Sequence, residues 1–181
     1  MRFSPHDRAE YVEARDGMTS TAIDQRLYRD VIGRFATGVT VITFRTDHVT
    51  RGMTANAVAS LSLDPTLLIA CIDKRTSAHA ALAQADGFAV NILAEDQLEI
   101  SRLFARPGLE GMGDVEYRTA VTGAPILDGV LAWFDCAVHE RFDGGDHTIF
   151  VGRVLELSLE RPEADPLLFY AGGYRTLGDS L

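Results

Sequence analysis

The chain has 181 residues, 46% of them hydrophobic and 24% charged, with a formal net charge of −9. That length supports one domain of ordinary size with a buried core. The acidity excludes the basic face that a nucleic-acid binder or a protein docked on anionic lipid requires, and no apolar run approaches the roughly 18 residues of a membrane helix.

Residues 1–20 carry Arg2, Asp7, Arg8, Glu10, Glu13, Arg15 and Asp16 and lack the apolar stretch of a signal peptide. They are expected to form an N-terminal arm ahead of one domain over 21–181, in a cytoplasmic protein. A helix is predicted from Thr21, with Asp24 at its start. Ile23, Leu27, Val31 and Phe35 recur every four residues, and Gly38 closes the segment.

Beyond Gly38 the pattern turns to β. Val39 to Phe44 is rich in β-branched residues, Thr46-Asp47-His48 is a turn, and a second strand starts at Val49. Strands are also expected over 67–72, 88–93, 131–139, 148–157 and 166–170. Helices are expected over 77–85 and 95–104, and a long glycine-containing loop over 106–123. Asp143-Gly144-Gly145-Asp146 is a hairpin signal. The count is six or seven strands with two or three helices, without β-α-β alternation, GxGxxG after a strand, or a P-loop. A small antiparallel barrel with helical insertions is the predicted architecture.

Three stretches can carry chemistry. In Gly52 to Pro65, Thr54, Asn56, Ser60 and Ser62 alternate, so an extended chain puts them on one face. That face suits either a flat, polar-edged ligand or plain solvent. Cys71 to His79 gathers Lys74, Arg75, Thr76 and Ser77 where a strand gives way to a helix. It suits a phosphate or an ordinary solvated turn. His147 follows a tight turn and either projects over a cleft or stands on the surface of a hairpin. Cys71 and Cys136 form no CxxC pair, each sits inside an apolar segment, and both read as buried reduced thiols. The histidines have no metal-ligand spacing, so no metal site is expected.

Together these stretches resemble the short-chain flavin reductases, the reductase components of two-component flavin-dependent monooxygenases. The likeness runs from Arg29 to Leu177. It is carried by Arg29 to Thr43, Gly52 to Pro65, Cys71 to His79, Phe88 to Leu93, Gly145-Asp146-His147-Thr148 and Tyr174-Arg175. The resemblance implies a mainly β fold with helical insertions, an FMN-binding split β-barrel of Greek-key type, working as a homodimer. It implies an NAD(P)H:flavin oxidoreductase that takes hydride from NADH or NADPH, reduces FMN or FAD, and supplies a partner flavin-dependent monooxygenase.

It further implies that Thr37, Gly38, Val39, Thr40, Thr54, Ala55 and Asn56 line the flavin ring and ribityl chain. Ser60, Leu61 and Ser62 would continue that wall, and Cys71 would join it. Lys74 and Ser77 would hold the flavin phosphate. Asn91 and Ile92 would touch the flavin from a neighbouring strand, and Phe104 would lie near the cleft. His147 would meet the nicotinamide as the catalytic positioning donor, with Tyr174 and Arg175 nearby. The competing expectations are a split-barrel flavin protein of another activity, such as a pyridoxamine-phosphate-oxidase-like enzyme or an electron-transfer module, and a non-enzymatic ligand-binding barrel.

Overall fold

The computed structural model describes residues 22–178, and the expected arm over 1–20 lies outside them. The chain divides into two compact units, one ending at Arg34 and one beginning at Phe35.

In the first unit, helix α1 spans Gln25–Ile32. The Asp24 carboxylate caps it by accepting the Arg26 N–H at 2.8 Å. Ile23, Leu27 and Val31 are all exposed. The helix stops at Gly33 instead of running on to Phe35. Glycine disfavours continuation, and Thr37-Gly38 is extended, forming the short strand β1.

The second unit is built on a seven-stranded antiparallel sheet. Its strands are β2 (Thr40–Arg45), β3 (Thr50–Ala55), β4 (Val58–Leu63), β5 (Thr66–Asp73), β6 (Gly87–Ile92), β9 (Ala132–Gly144) and β10 (His147–Leu159), in the spatial order β3-β2-β6-β9-β10-β5-β4. β6 returns to lie beside β2, and β10 beside β5, through long connections of Greek-key type.

The two edge strands, β3 and β4, are consecutive in sequence, with only Asn56 and Ala57 between them. In a flat sheet six strand spacings would hold those edges roughly 29 Å apart. Three Cα steps reach at most about 11 Å. The sheet must therefore roll until its edges approach. β3 and β4 do not pair, so the barrel is split at this seam. Register shifts at Val151/Gly152 and Val154/Glu156 bend the long β9–β10 hairpin to fit the roll.

Rolling gives the sheet two buried faces, which explains the unbroken apolar runs of its central strands. Ile42 and Phe44 of β2, Leu68, Ala70 and Ile72 of β5, Phe88 and Val90 of β6, and Phe150 of β10 form one core cluster. Helix α2 (Ser77–Leu82) contributes Ala78 and Leu82 to it. The opposite face of β2 and β6, through Val41 and Ala89, packs with Phe104, Ile126, Leu127, Val130 and Trp133. Phe104 ends helix α3 (Leu98–Phe104), which comes after a 3-10 turn over Glu95–Gln97.

Two small sheets complete the unit. β7 (Tyr117–Thr119) pairs with β8 (Pro125–Leu127), so the region expected as one loop over 106–123 contains a strand. Three residues are too few to show a period. β1 pairs with β11 (Leu168–Tyr170), which in turn pairs with β12 (Gly173–Arg175). The predicted last strand thus starts two residues late, and β12 has no counterpart among the expected strands. The turn between them places Ala171 at φ 49° and Gly172 at φ 76°, as a type I′ turn requires. Alanine gives no sequence signal for that conformation.

Gly152 sits where β9, β10 and β6 cross. A Cβ there would lie 2.7 Å from Phe88 Cζ and 2.9 Å from Cys136 Cβ. Gly152→Val is expected to destabilise the protein by about 2–4 kcal/mol, measured as a lower urea midpoint at unchanged slope.

Candidate functional site

A cleft of about 660 Å³ opens beside the seam. β3 supplies Gly52, Met53 and Thr54, and the β3–β4 junction supplies Asn56. The turn after β5 supplies Asp73, Arg75, Thr76 and Ser77. Phe104 to Leu109 form another wall, with Val39, Phe169 and Tyr174 also lining the cleft.

The apolar side is set by close packing. A Cβ on Gly52 would lie 2.7 Å from Phe104 Cε1, so only glycine lets that ring lie against β3. The polar side is held by hydrogen bonds. Thr54 Oγ1 donates to the Ser101 carbonyl at 2.7 Å. Ser101 is fully buried, and its hydroxyl lies 2.9 Å from the Tyr174 hydroxyl. The Tyr174 ring meets Phe169 edge-on at 5.5 Å. Asn56 Nδ2 donates to Thr37 Oγ1 at 3.2 Å, tying the junction to β1. Thr40 Oγ1 donates to the Ala55 carbonyl at 2.6 Å.

The charged end is the turn Asp73 to Ser77. Arg75 grips Asp73 through Nη2 at 2.7 Å, Nε at 3.1 Å and its backbone N–H at 2.8 Å. These bonds hold the Asp73 carboxyl well below the usual carboxylate range, and His147 adds a smaller charge effect in the same direction. Asp73 and His147 are direct cross-strand partners between β5 and β10. Opposed residues project from the same face, so half-exposed His147 stands next to a residue of the cleft wall. Its Nδ1 lies 2.7 Å from Asp146 Oδ1, and that contact lowers the Asp146 pKa.

Lys74 points elsewhere. Its ammonium binds the Asp143 carboxylate and, at 2.6 Å, the Gly145 carbonyl. Its backbone N–H donates to the Asp146 carbonyl at 3.0 Å. The lysine thus clamps the β9–β10 hairpin to the turn and depresses the Asp143 pKa.

Of the residues singled out in the sequence, the cleft gathers Val39, Thr54, Asn56, Ser77, Phe104 and Tyr174. Thr37, Gly38, Thr40 and Ala55 lie beside it on β1 to β3. Arg175 is exposed and donates from Nη1 to its neighbour's carbonyl at 2.7 Å. The single face expected for Thr54, Asn56, Ser60 and Ser62 does not persist. The strand breaks at Asn56-Ala57 and a bulge at Leu61 resets the alternation. Ser60, Leu61 and Ser62 stand on the opposite sheet edge, outside the cleft.

Half-buried Cys71 also lies outside it, and burial raises its thiol pKa. Cys136 is buried, its thiol pushed up to about 12 by burial. Asn91 is fully buried beside half-buried Ile92. The Asn91 amide donates to the Val41 carbonyl and the Thr43 hydroxyl and accepts the Leu127 N–H at 2.8 Å. It pins β8 to the main sheet instead of facing a ligand.

Gly52, Arg75, Arg106 and Phe169 line the cleft without having been singled out as site residues. Arg75 stood within the cationic turn, and Arg106-Pro107-Gly108 carries a turn signal. Phe169 had no signal apart from its strand. Among the described residues no group of three or more His, Cys, Asp and Glu side chains could hold a metal. No described helix is long and apolar enough to cross a membrane.

Residues 32–178 match the family model described as flavin reductase like domain, and the chain belongs to that family. It is 40% identical over 157 residues to the reductase subunit HsaB of a flavin-dependent monooxygenase from Rhodococcus jostii, covering 87% of this chain and 80% of that one. It is 40% identical over 161 residues, 88% of its length, to a probable flavin reductase of Rhizobium meliloti, and spans 51% of that relative. It spans 42% of the reductase component of the trigonelline monooxygenase of Acinetobacter baylyi. The chain thus covers about half the length of these last two relatives.

Among solved structures, the flavin reductase PheA2 superposes with a TM-score of 0.79 at 40% identity, covering 87% of this chain and all of that one. The NADH:FAD oxidoreductase SgcE6 of Streptomyces globisporus gives 0.80 at 36% identity, covering 90% of this chain and 100% of that one. The fold is the split barrel that the sequence resemblance implied.

The Ser101–Tyr174 bond fixes a cleft side chain from a buried position. Ser101→Ala is expected to cost about 1 kcal/mol of stability and to weaken flavin uptake roughly three- to tenfold. Flavin fluorescence titration reads the change, and an unaltered dissociation constant would show that this bond does not position Tyr174.

Proposed function

We propose that the protein is a flavin reductase that oxidises NADH or NADPH, reduces FMN or FAD, and hands the reduced flavin to a flavin-dependent monooxygenase. The observation that carries this reading is the cleft itself. It joins an apolar wall of Val39, Met53 and Phe104 to the polar edge of Thr54 and Asn56, and both to the cationic turn at Arg75. A tricyclic ring with a polar rim and an anionic tail needs those three surfaces in that combination.

When both are bound, the nicotinamide supplies two electrons as a hydride and the flavin accepts them. The protein has then to bind, orient and exclude water. Phe104, held against Gly52, covers one wall with apolar surface. Thr54 and Asn56 are fixed in place by bonds to Ser101 and Thr37, so they present a rigid polar edge without reorganisation. Arg75 and Ser77 hold the phosphate. Lys74, assigned that task by the sequence resemblance, acts here through the hairpin it clamps. His147 orients the nicotinamide from beside Asp73.

A reductase subunit, an FMN reductase using NADH and an NADH:FAD oxidoreductase among the similar proteins all support the same chemistry. We also propose a homodimer. Leu155, Leu157 and Leu159 of β10, with Leu61 and Leu63 of β4, leave apolar side chains exposed on this part of the sheet. Such a face suits a second copy, which would bring Ser60 and Ser62 into an interface. The two free cysteines suit a reducing cytoplasm.

Loss of NADH absorbance is expected to accelerate on adding FMN or FAD. A protein that binds flavin without oxidising NADH would belong to another split-barrel class. His147→Ala is expected to raise KM for NADH about tenfold while the flavin dissociation constant stays within about twofold. Unaltered NADH kinetics would remove His147 from the site.

A further inference from the structure

We propose that Arg106 recognises the pyrophosphate of a dinucleotide, making it the residue by which the cleft separates dinucleotides from mononucleotides. The proposal rests on the flavin-reductase reading above and names a substrate feature within the same site.

The cleft is lined by two guanidinium groups, Arg75 and Arg106. Arg75 is committed to Asp73 through its side chain and its backbone. Elsewhere in the unit Arg102 pairs with Glu99 at 2.6 Å and Arg161 with Asp96 at 2.9 Å, while Arg45 and Arg153, which have no such partner among the described residues, lie outside the cleft. Arg106 is different. Among the described residues its side chain has no carboxylate, carbonyl or ring partner. A chain of net charge −9 thus leaves an uncompensated cation at the edge of a ligand-sized cleft. A planar guanidinium with open donors matches the paired non-bridging oxygens of a pyrophosphate.

The backbone holds this arginine in a fixed place. Its N–H donates to the Leu103 carbonyl at 3.2 Å, continuing the last turn of α3. Its own carbonyl accepts the Leu109 N–H at 3.4 Å. Between them Pro107 precedes Gly108 at φ 73°, the arrangement of a type II turn.

The same loop is stitched to the phosphate side of the cleft. Arg51 donates from Nη1 to the Ser77 carbonyl at 3.1 Å and places Nη2 3.6 Å from Glu110 Oε1. Two cationic points on separate segments therefore face one cavity, Arg75 on the turn after β5 and Arg106 on the loop after α3. FMN carries a single phosphate and can satisfy only one of them. FAD, or FMN together with NADH, brings a pyrophosphate for the second.

The test compares the wild-type chain with Arg106→Ala and Arg106→Lys. Each is titrated with FMN and with FAD, and each is assayed for NADH oxidation at saturating FMN. In Arg106→Ala the FMN dissociation constant is expected to stay within about twofold, and either the FAD constant or the NADH KM to rise about tenfold. Arg106→Lys should recover part of the loss. A change confined to FAD identifies the flavin's pyrophosphate as the partner, and a change confined to NADH KM identifies the nicotinamide dinucleotide's. If neither moves, or if FMN and FAD weaken equally with NADH KM constant, the assignment is overturned. Wild-type protein that neither binds flavin nor oxidises NADH would overturn the underlying reading before any variant is compared.

Discussion

The structure depends on a constraint of chain length. The strands at the two edges of a seven-stranded sheet are joined by only Asn56 and Ala57. The chain can connect them only if the sheet rolls up, and the roll sets both the core and the cleft. It buries both faces of β2 and β6, and it brings the open edge of β3 near the end of β5. The Cys71 N–H donates to the Ala57 carbonyl at 2.9 Å, holding the junction against β5. Arg51 of β3 then reaches the first residue of α2. The cleft is the gap left where a barrel comes close to closing and stops.

Charge is distributed around that gap by function. Lys74 and Arg75 are adjacent in sequence and serve different purposes. The lysine fastens one hairpin to the turn, and the arginine faces the cleft with its charge partly neutralised by Asp73. Each carboxylate here is stabilised in its ionised form by its cation, so the pairs are intact above the usual carboxylate pKa range. They are lost only as the pH falls through the depressed values. The rim therefore keeps its arrangement through neutral pH.

Much of this was legible in the sequence. The continuous apolar run of β2, the hairpin at Gly145, the cationic turn and the order of the motifs led to the barrel and to Thr54, Asn56, Ser77 and Phe104. Other features lay beyond local pattern. Lys74 and Arg75 cannot be told apart without knowing that Asp143 and Gly145 come within reach of one and not the other. Asn91 looks like a polar residue available for binding until its amide is seen to be occupied by Thr43 and Leu127. Ser60 and Ser62 continue an alternation on paper that a two-residue break and a bulge destroy in space. β7 and β12 are three residues each and depend on partners that sequence spacing does not reveal.

The β9–β10 hairpin works as a ruler. Its turn is two residues long, Gly145 and Asp146, with Gly145 at φ 78° opening it as a type II′ turn requires. Lys74 grips that tip from the neighbouring turn, so the hairpin cannot slide along β5. Strand alternation has a period of two. A one-residue slip of β10 against β5 would carry His147 from the cleft side of β10 to its reverse. The clamp opposes that slip, so His147 keeps its face for as long as the Asp143 carboxylate and the Gly145 carbonyl stay within the lysine's reach.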